Sequence, residues 1–249
     1  MIYMKGGSAL HATIQKPINE ILDFLREGEK VFVIGCDNCA AKCRSGGIPE
    51  TEGMAERLKR RGVNVVGWCV PSQPKGISLC KLSNTRKVLQ EEHSDKVKEA
   101  DSFLVLACGQ GFHTVIDATD GSLVHPGCDT IFGGETVSDD FITEYCSLCG
   151  HCIVEYTGGL CPVTLCSKSL LNGPCGGAKN GKCEVDREKD CGWQLIYDRL
   201  LAMGRLDLIE PYQEPKNHVR WSRPRSLTLG EGEATFKSLS GAVTISSCD

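Results

Sequence analysis

Val31-Phe32-Val33-Ile34-Gly35-Cys36 is an unbroken apolar run closed by a glycine and a cysteine. Consecutive β-branched and aromatic residues without polar alternation read as a strand covered on both faces, as inside a parallel sheet. Upstream, residues 17–26 place Ile18, Ile21, Leu22 and Leu25 at helical spacing, with Pro17 in the first turn and Gly28 just beyond, which predicts a helix leading into that strand. Downstream, residues 52–61 read as a helix stopped by Gly62, Val63-Asn64-Val65-Val66 as a second strand, and residues 85–100 as a polar helix. Phe103-Leu104-Val105-Leu106-Ala107 is the third strand, followed by a helix over residues 112–118. Strands alternating with helices imply right-handed crossovers, hence an α/β fold: a small doubly wound parallel sheet in an N-terminal domain of residues 1–140. Cys36 and Cys108 both follow the C-terminal ends of strands, the edge at which open α/β sheets collect ligands.

Sixteen cysteines in 249 residues are distributed unevenly, and eight of them fall between Cys146 and Cys191. That crowding marks a second, cysteine-rich module over residues 141–225, ferredoxin-like or irregular in backbone and metal-binding in character. Gly158-Gly159, Gly173, Gly176-Gly177 and Gly181 keep regular elements short there and let backbone amides approach bound sulfur. Residues 193–203 restore an amphipathic helix, with Trp193, Ile196, Leu200 and Met203 on one stripe that packs on the cysteine module. Residues 226–249, rich in Gly, Ser, Thr and Glu, read as an extension or loosely ordered tail.

Charge and hydropathy narrow the function. A net charge of -4 and a pI near 5.9 leave no basic footprint for nucleic acid, and Arg57-Leu58-Lys59-Arg60-Arg61 reads as a solvated helix face. No apolar run reaches the ~18 residues needed to span a bilayer, so a soluble chain is expected, with membrane contact only through a partner. The start, Met1-Ile2-Tyr3-Met4-Lys5-Gly6-Gly7, has no apolar stretch of an export signal. The expected location is therefore the cytoplasm, where thiols stay reduced and bind metal in preference to forming disulfides.

Cys146-Ser-Leu-Cys149-Gly-His-Cys152, followed by Cys161-Pro162, carries the most specific chemistry. Structural zinc usually takes two separated C-x2-C pairs, whereas an unbroken triple with a later Cys-Pro resembles the bacterial ferredoxin signature. Cys161 lies eight residues beyond Cys152 instead of three, so ligands of two sites could interleave with Cys166, Cys175, Cys183 and Cys191. Eight thiolates match two four-thiolate sites, either two [4Fe-4S] clusters or one cluster and one zinc. A further run, Cys36-Asp37-Asn38-Cys39-Ala40-Ala41-Lys42-Cys43, offers three thiolates on the loop after the first strand. Cys108 is the first choice for a fourth, with Cys80 and Cys69 behind it. A thioredoxin-type exchange pair of Cys36 and Cys39 is the rival, but it has no use for the third cysteine. Gly109-Gln110-Gly111 is a weak dinucleotide signal, because Thr114 replaces the third glycine. His113 and His151 read as surface residues or as outer donors to the thiolates. No carboxylate pair, Ser/His/Asp set or phosphate loop is evident in the sequence, so substrate chemistry is expected elsewhere and the chain itself to be non-catalytic.

Gly35-Cys36 to Gly47, Cys108-Gly109-Gln110-Gly111 and the string Leu171-Asn172-Gly173-Pro174-Cys175-Gly176-Gly177, Gly181-Lys182-Cys183-Glu184-Val185, Cys191-Gly192-Trp193 carry a family resemblance. Over residues 16–225 the chain resembles the small iron-sulfur subunit of the methylenetetrahydrofolate reductases of anaerobic one-carbon pathways. The resemblance implies a partner with a flavin-bearing (β/α)8 barrel that reduces 5,10-methylenetetrahydrofolate to 5-methyltetrahydrofolate. This chain would feed it electrons from a ferredoxin, an NADH-oxidising subunit or a heterodisulfide-reductase-like assembly. The flavin belongs to the partner. Two or three [4Fe-4S] sites, with zinc at one of them, would be held here. A zinc-stabilised scaffold subunit and a thiol-disulfide redox protein are the alternatives.

Overall fold

The computed structural model describes residues 10–71, 78–138, 141–229, 234–238 and 241–245; the N-terminal residues 1–7 read above and Cys248 lie outside them. The chain divides between Glu144 and Tyr145 into two compact units. In the first, β1 (Leu10–Gln15) and α1 (Ile18–Phe24) precede β2 (Lys30–Gly35), α2 (Cys39–Lys42), α3 (Ile48–Arg60) and β3 (Asn64–Cys69). Then follow α4 (Leu82–Lys87), a π-helical turn (Val88–Glu92), α5 (Ser94–Glu99), β4 (Ser102–Leu106), α6 (Gly109–Ala118), β5 (Val124–Pro126), β6 (Cys128–Ser138) and β7 (Phe141–Thr143).

Four of these strands form one parallel sheet in the order β3-β2-β4-β5. Because side chains alternate sides along a strand, Phe32, Ile34, Phe103 and Val105 join Leu79, Leu89 and Val115 in one core. Val31, Val33, Leu104 and Leu106 join Ile21 of α1 and Met54 and Leu58 of α3 in the other. Both faces are covered by helix or loop, which is why β2 is apolar from Val31 to Ile34 and β4 from Phe103 to Leu106. The polar helix expected over residues 85–100 is broken instead. Val88 and Leu89 turn into the core within the π turn, and the His93 ring packs on Phe32 at 5.8 Å.

A second sheet, antiparallel in the order β1-β6-β7, was not legible from the sequence. Its residues lack the alternation of a half-buried strand: Ile14, Ile131, Val137 and Phe141 are all exposed.

In the second unit the backbone from 145 to 191 is irregular. It holds a 3-10 turn (Val154–Thr157), the one-turn α7 (Pro162–Leu165) and isolated bridges Lys179↔Lys182 and Lys182↔Asp190. Its core is small: Trp193, Ile196 and Leu200 of α8 (Gly192–Met203) pack with Leu160, Leu170, Cys166 and Cys191. Met203, the last member of the predicted stripe, is exposed. Beyond it, β8 (Arg225–Leu229), β9 (Ala234–Ser238) and β10 (Gly241–Ile245) pair as an antiparallel meander. Among the described residues no helix is long and apolar enough to cross a membrane.

Candidate metal centres

Strand order reverses between β2 and β4, whose paired ends are Gly35 and Leu106, so Cys36 and Cys108 emerge side by side at the topological switch point. The loop after β2 folds back over this edge because two glycines let it. A Cβ on Gly46 would lie 1.9 Å from the Leu106 carbonyl oxygen, and one on Gly35 would lie 2.4 Å from that of Gly46, to which the Cys36 amide donates at 2.7 Å. This return carries Cys39 to Cys108. The Cys39 thiol is held protonated because it donates to Cys108, and burial adds to the effect. Cys108, at the N-cap of α6, is drawn down toward thiolate by that same hydrogen bond and, against the opposing pull of burial, by the amides of Gly111 and Gln110. Burial pushes the Cys36 thiol up, while amides of Leu79, Asn38 and Ala40 oppose it.

Cys43 lies on the β1 side of the loop: the Thr13 amide donates to its sulfur at 3.4 Å and its thiol donates to the His11 carbonyl at 3.8 Å. Cys69 is buried at the end of β3, where burial and then Glu92 raise it, and Cys80 is exposed. Cys39 and Cys108 are thus a hydrogen-bonded thiol pair, with Cys36 near enough to both to add to their electrostatics. Sequence reading missed Cys128. It is buried, donates to the Ser45 carbonyl at 3.5 Å, and is pushed up to about 12, by burial first, with Cys43 and Cys108 near enough to add to the rise. It missed His11 as well, which lies near enough to Cys108 to contribute electrostatically to its lowering. Neither sits in a spaced motif; the one local hint is Gly127, where a Cβ would come 2.4 Å from Leu106. The Gly111 of the weak dinucleotide signal serves packing, since a Cβ there would lie 2.9 Å from Leu79 and 3.0 Å from Ala107.

In the second unit the eight clustered cysteines divide in sequence order, without interleaving. Cys146, Cys149, Cys152 and Cys161 line one cavity of about 520 Å³ together with Lys216 and Arg225. The loop is tight because Leu148 and Gly150 both adopt left-handed backbone, φ 56° and 76°. The Leu148 amide donates to the Cys146 sulfur at 3.3 Å and the Thr164 hydroxyl to that of Cys161 at 3.5 Å. Lys216 and Arg225 donate to the His151 and Leu148 carbonyls, fastening the loop and placing positive charge beside four thiols. Burial, then Lys216 and Arg220, lower the His151 imidazole. Cys166, Cys175, Cys183 and Cys191 line a separate cavity of about 10 Å³. Among the described residues, no three His, Cys, Asp or Glu side chains are placed so that they could hold a metal ion as they stand. The donor chemistry nevertheless fits thiophilic metal: each cavity offers four soft sulfur ligands with amide or hydroxyl donors at hand.

Residues 125–219 match the family described as methylene-tetrahydrofolate reductase C terminal. The matched segment runs from β5 through Cys128 and all eight clustered cysteines, and the likeness is confined to it. Cys36, Cys39, Cys43 and Cys108 precede it, and the meander of β8 to β10 follows it. No curated protein and no solved structure matches the chain.

Proposed function

We propose that this chain is an iron-sulfur electron-transfer subunit of a methylenetetrahydrofolate reductase complex. It passes electrons from an external donor protein to the flavin of a partner subunit that reduces 5,10-methylenetetrahydrofolate to 5-methyltetrahydrofolate. The observation that carries this reading is the lining of one cavity by Cys146, Cys149, Cys152 and Cys161. Four cysteines lining one space, three of them in a C-x2-C-x2-C run, support four-thiolate ligation of a [4Fe-4S] cluster. The family match over the same residues supports the reductase context.

When bound, such a cluster supplies reversible one-electron storage at a potential set by net charge, hydrogen bonds to sulfur and solvent exposure. The chain's own residues provide each of these settings. The Leu148 amide and Thr164 hydroxyl donate to ligand sulfurs. Lys216 and Arg225 bring positive charge to the cavity wall. Cys146 and Cys152 are exposed, which leaves a short path for an electron to a partner surface. The site at the switch point, Cys36, Cys39 and Cys108 with Cys43 and Cys128 beside them, would hold a further metal group on the first unit.

Purification without oxygen followed by iron, sulfide and visible spectroscopy tests the proposal. Brown protein that bleaches with dithionite and then shows a paramagnetic signal is expected. Folded protein from oxygen-free cells that lacks iron and sulfide ends it.

A further inference from the structure

The wall of the larger cavity of the second unit belongs to a basic face. Residues 215–225 carry Lys216, Arg220, Arg223 and Arg225 and no carboxylate, and the cysteine loop over residues 145–154 carries none either, in a chain whose net charge is -4. The segment is laid on the loop by its own local structure. Asn217 caps a 3-10 turn (His218–Trp221) by accepting from the Val219 amide at 3.0 Å, and the His218 ring stacks on Trp221. Gly150 meets this turn so closely that a Cβ there would lie 3.0 Å from the Arg220 carbonyl oxygen and 3.2 Å from the Arg220 Cβ. Lys216 donates to the His151 carbonyl, and Arg225 to those of Leu148 and Arg220. Neutral carbonyls fix these cations in place without cancelling their charge. The side chains of Arg220 and Arg223 make no hydrogen bond or ion pair among the described residues. On the same segments Tyr145, Leu148 and Val219 stand exposed, and Cys146 and Cys152 reach the surface beside them.

We infer that this face docks a small acidic electron-carrier protein in a transient encounter. The inference rests on the function proposed above for the partner's role as electron donor; the docking itself rests on charge and exposure. A permanent subunit interface is wide and mostly apolar, whereas electron-transfer encounters are small and rely on complementary charge to bring the partners together quickly. Here four cations accompany three exposed apolar side chains, which is the composition of the second kind. The cations attract an acidic partner over about 10 Å at 0.1 M salt, and the small apolar centre lets it leave again. A carrier seated there stands over the exposed Cys146 and Cys152, at the end of the cavity where an electron would enter.

Biolayer interferometry of the full chain, purified without oxygen, against an immobilised acidic ferredoxin tests this over a series of salt concentrations. Binding is expected to be weak, fast and lost as salt rises. Arg220→Glu combined with Arg223→Glu should slow association about tenfold or more at low salt and converge on wild type at high salt, with circular dichroism unchanged. Arg223→Glu alone, at an exposed side chain, should show a smaller effect in the same direction. Lys87→Glu combined with Lys98→Glu makes the same charge change on exposed lysines of the first unit and should leave association near wild type. Wild-type protein that does not bind overturns the inference, as does equal slowing in the lysine control. So does tighter binding of single-stranded polyuridine through the same arginines, or protection of Val219 and Trp221 from hydrogen exchange by a reductase subunit that stays bound. Salt-sensitive docking by a chain without iron leaves this face standing and removes the electron-transfer proposal; an iron-loaded chain that does not bind ferredoxin does the reverse.

Discussion

One methyl group at position 46 would sit 1.9 Å from the Leu106 carbonyl oxygen and 2.9 Å from Ala40, so the return of the cysteine loop over the sheet edge depends on a residue without a side chain. Gly46→Ala should destabilise the first unit by about 1–3 kcal/mol, the usual cost of forcing bulk into a packed site, read as a lower urea midpoint. Gly53, inside α3 with open space around its Cα, is the control. Gly53→Ala should raise stability by about 0.5–1 kcal/mol, because alanine is the better helix former and meets nothing. At this scale the sequence was legible wherever chemistry follows spacing, as in Cys146, Cys149 and Cys152. It was mute on Cys128, a lone cysteine whose role comes from the strand that carries it to Ser45 and Cys43.

At the scale of elements, β2 and β4 could be read from the sequence because burial on both faces demands unbroken apolar runs, whereas β1, β6 and β7 could not because their exposed apolar residues follow no period. The end of the sheet opposite the cysteines is joined by a buried pair. Glu29, just before β2, meets His125 of β5 at 3.1 Å, and the His125 ring stacks on Phe24 of α1. Burial pulls the Glu29 carboxyl up, but the Ser102 hydroxyl beside it, the Arg26 amide and His125 together hold it below its ordinary 4.5. A carboxylate with a lowered folded value stabilises fully above its unfolded value and loses that contribution as pH falls through the folded one. Wild-type stability should therefore decline as pH drops below about 4.5. Glu29→Gln should flatten that limb and lie lower near neutrality, which a series of urea midpoints against pH would measure.

For the whole molecule, the two units have unequal means of staying folded. The first has a sheet with apolar cores on both faces, while the second has one small core around α8 and eight clustered thiols. If the clustered thiols hold metal as proposed, stripping it with a chelator and an oxidant should release backbone amides of α8 to hydrogen exchange while those of β2 and β4 stay protected, a contrast that mass spectrometry would resolve. Equal loss in both units would show that the second does not depend on metal for its fold. Local order along the chain was enough to determine the alternation of strand and helix, the crowding of thiols and the tight cysteine triple, because each depends on neighbours a few residues apart. Which thiols share a cavity was decided only by tertiary structure. The 4-plus-4 division of the second unit and the meeting of Cys36 and Cys39 with Cys108 arise where distant segments reverse and pack, and spacing along a chain carries no record of where it turns back on itself.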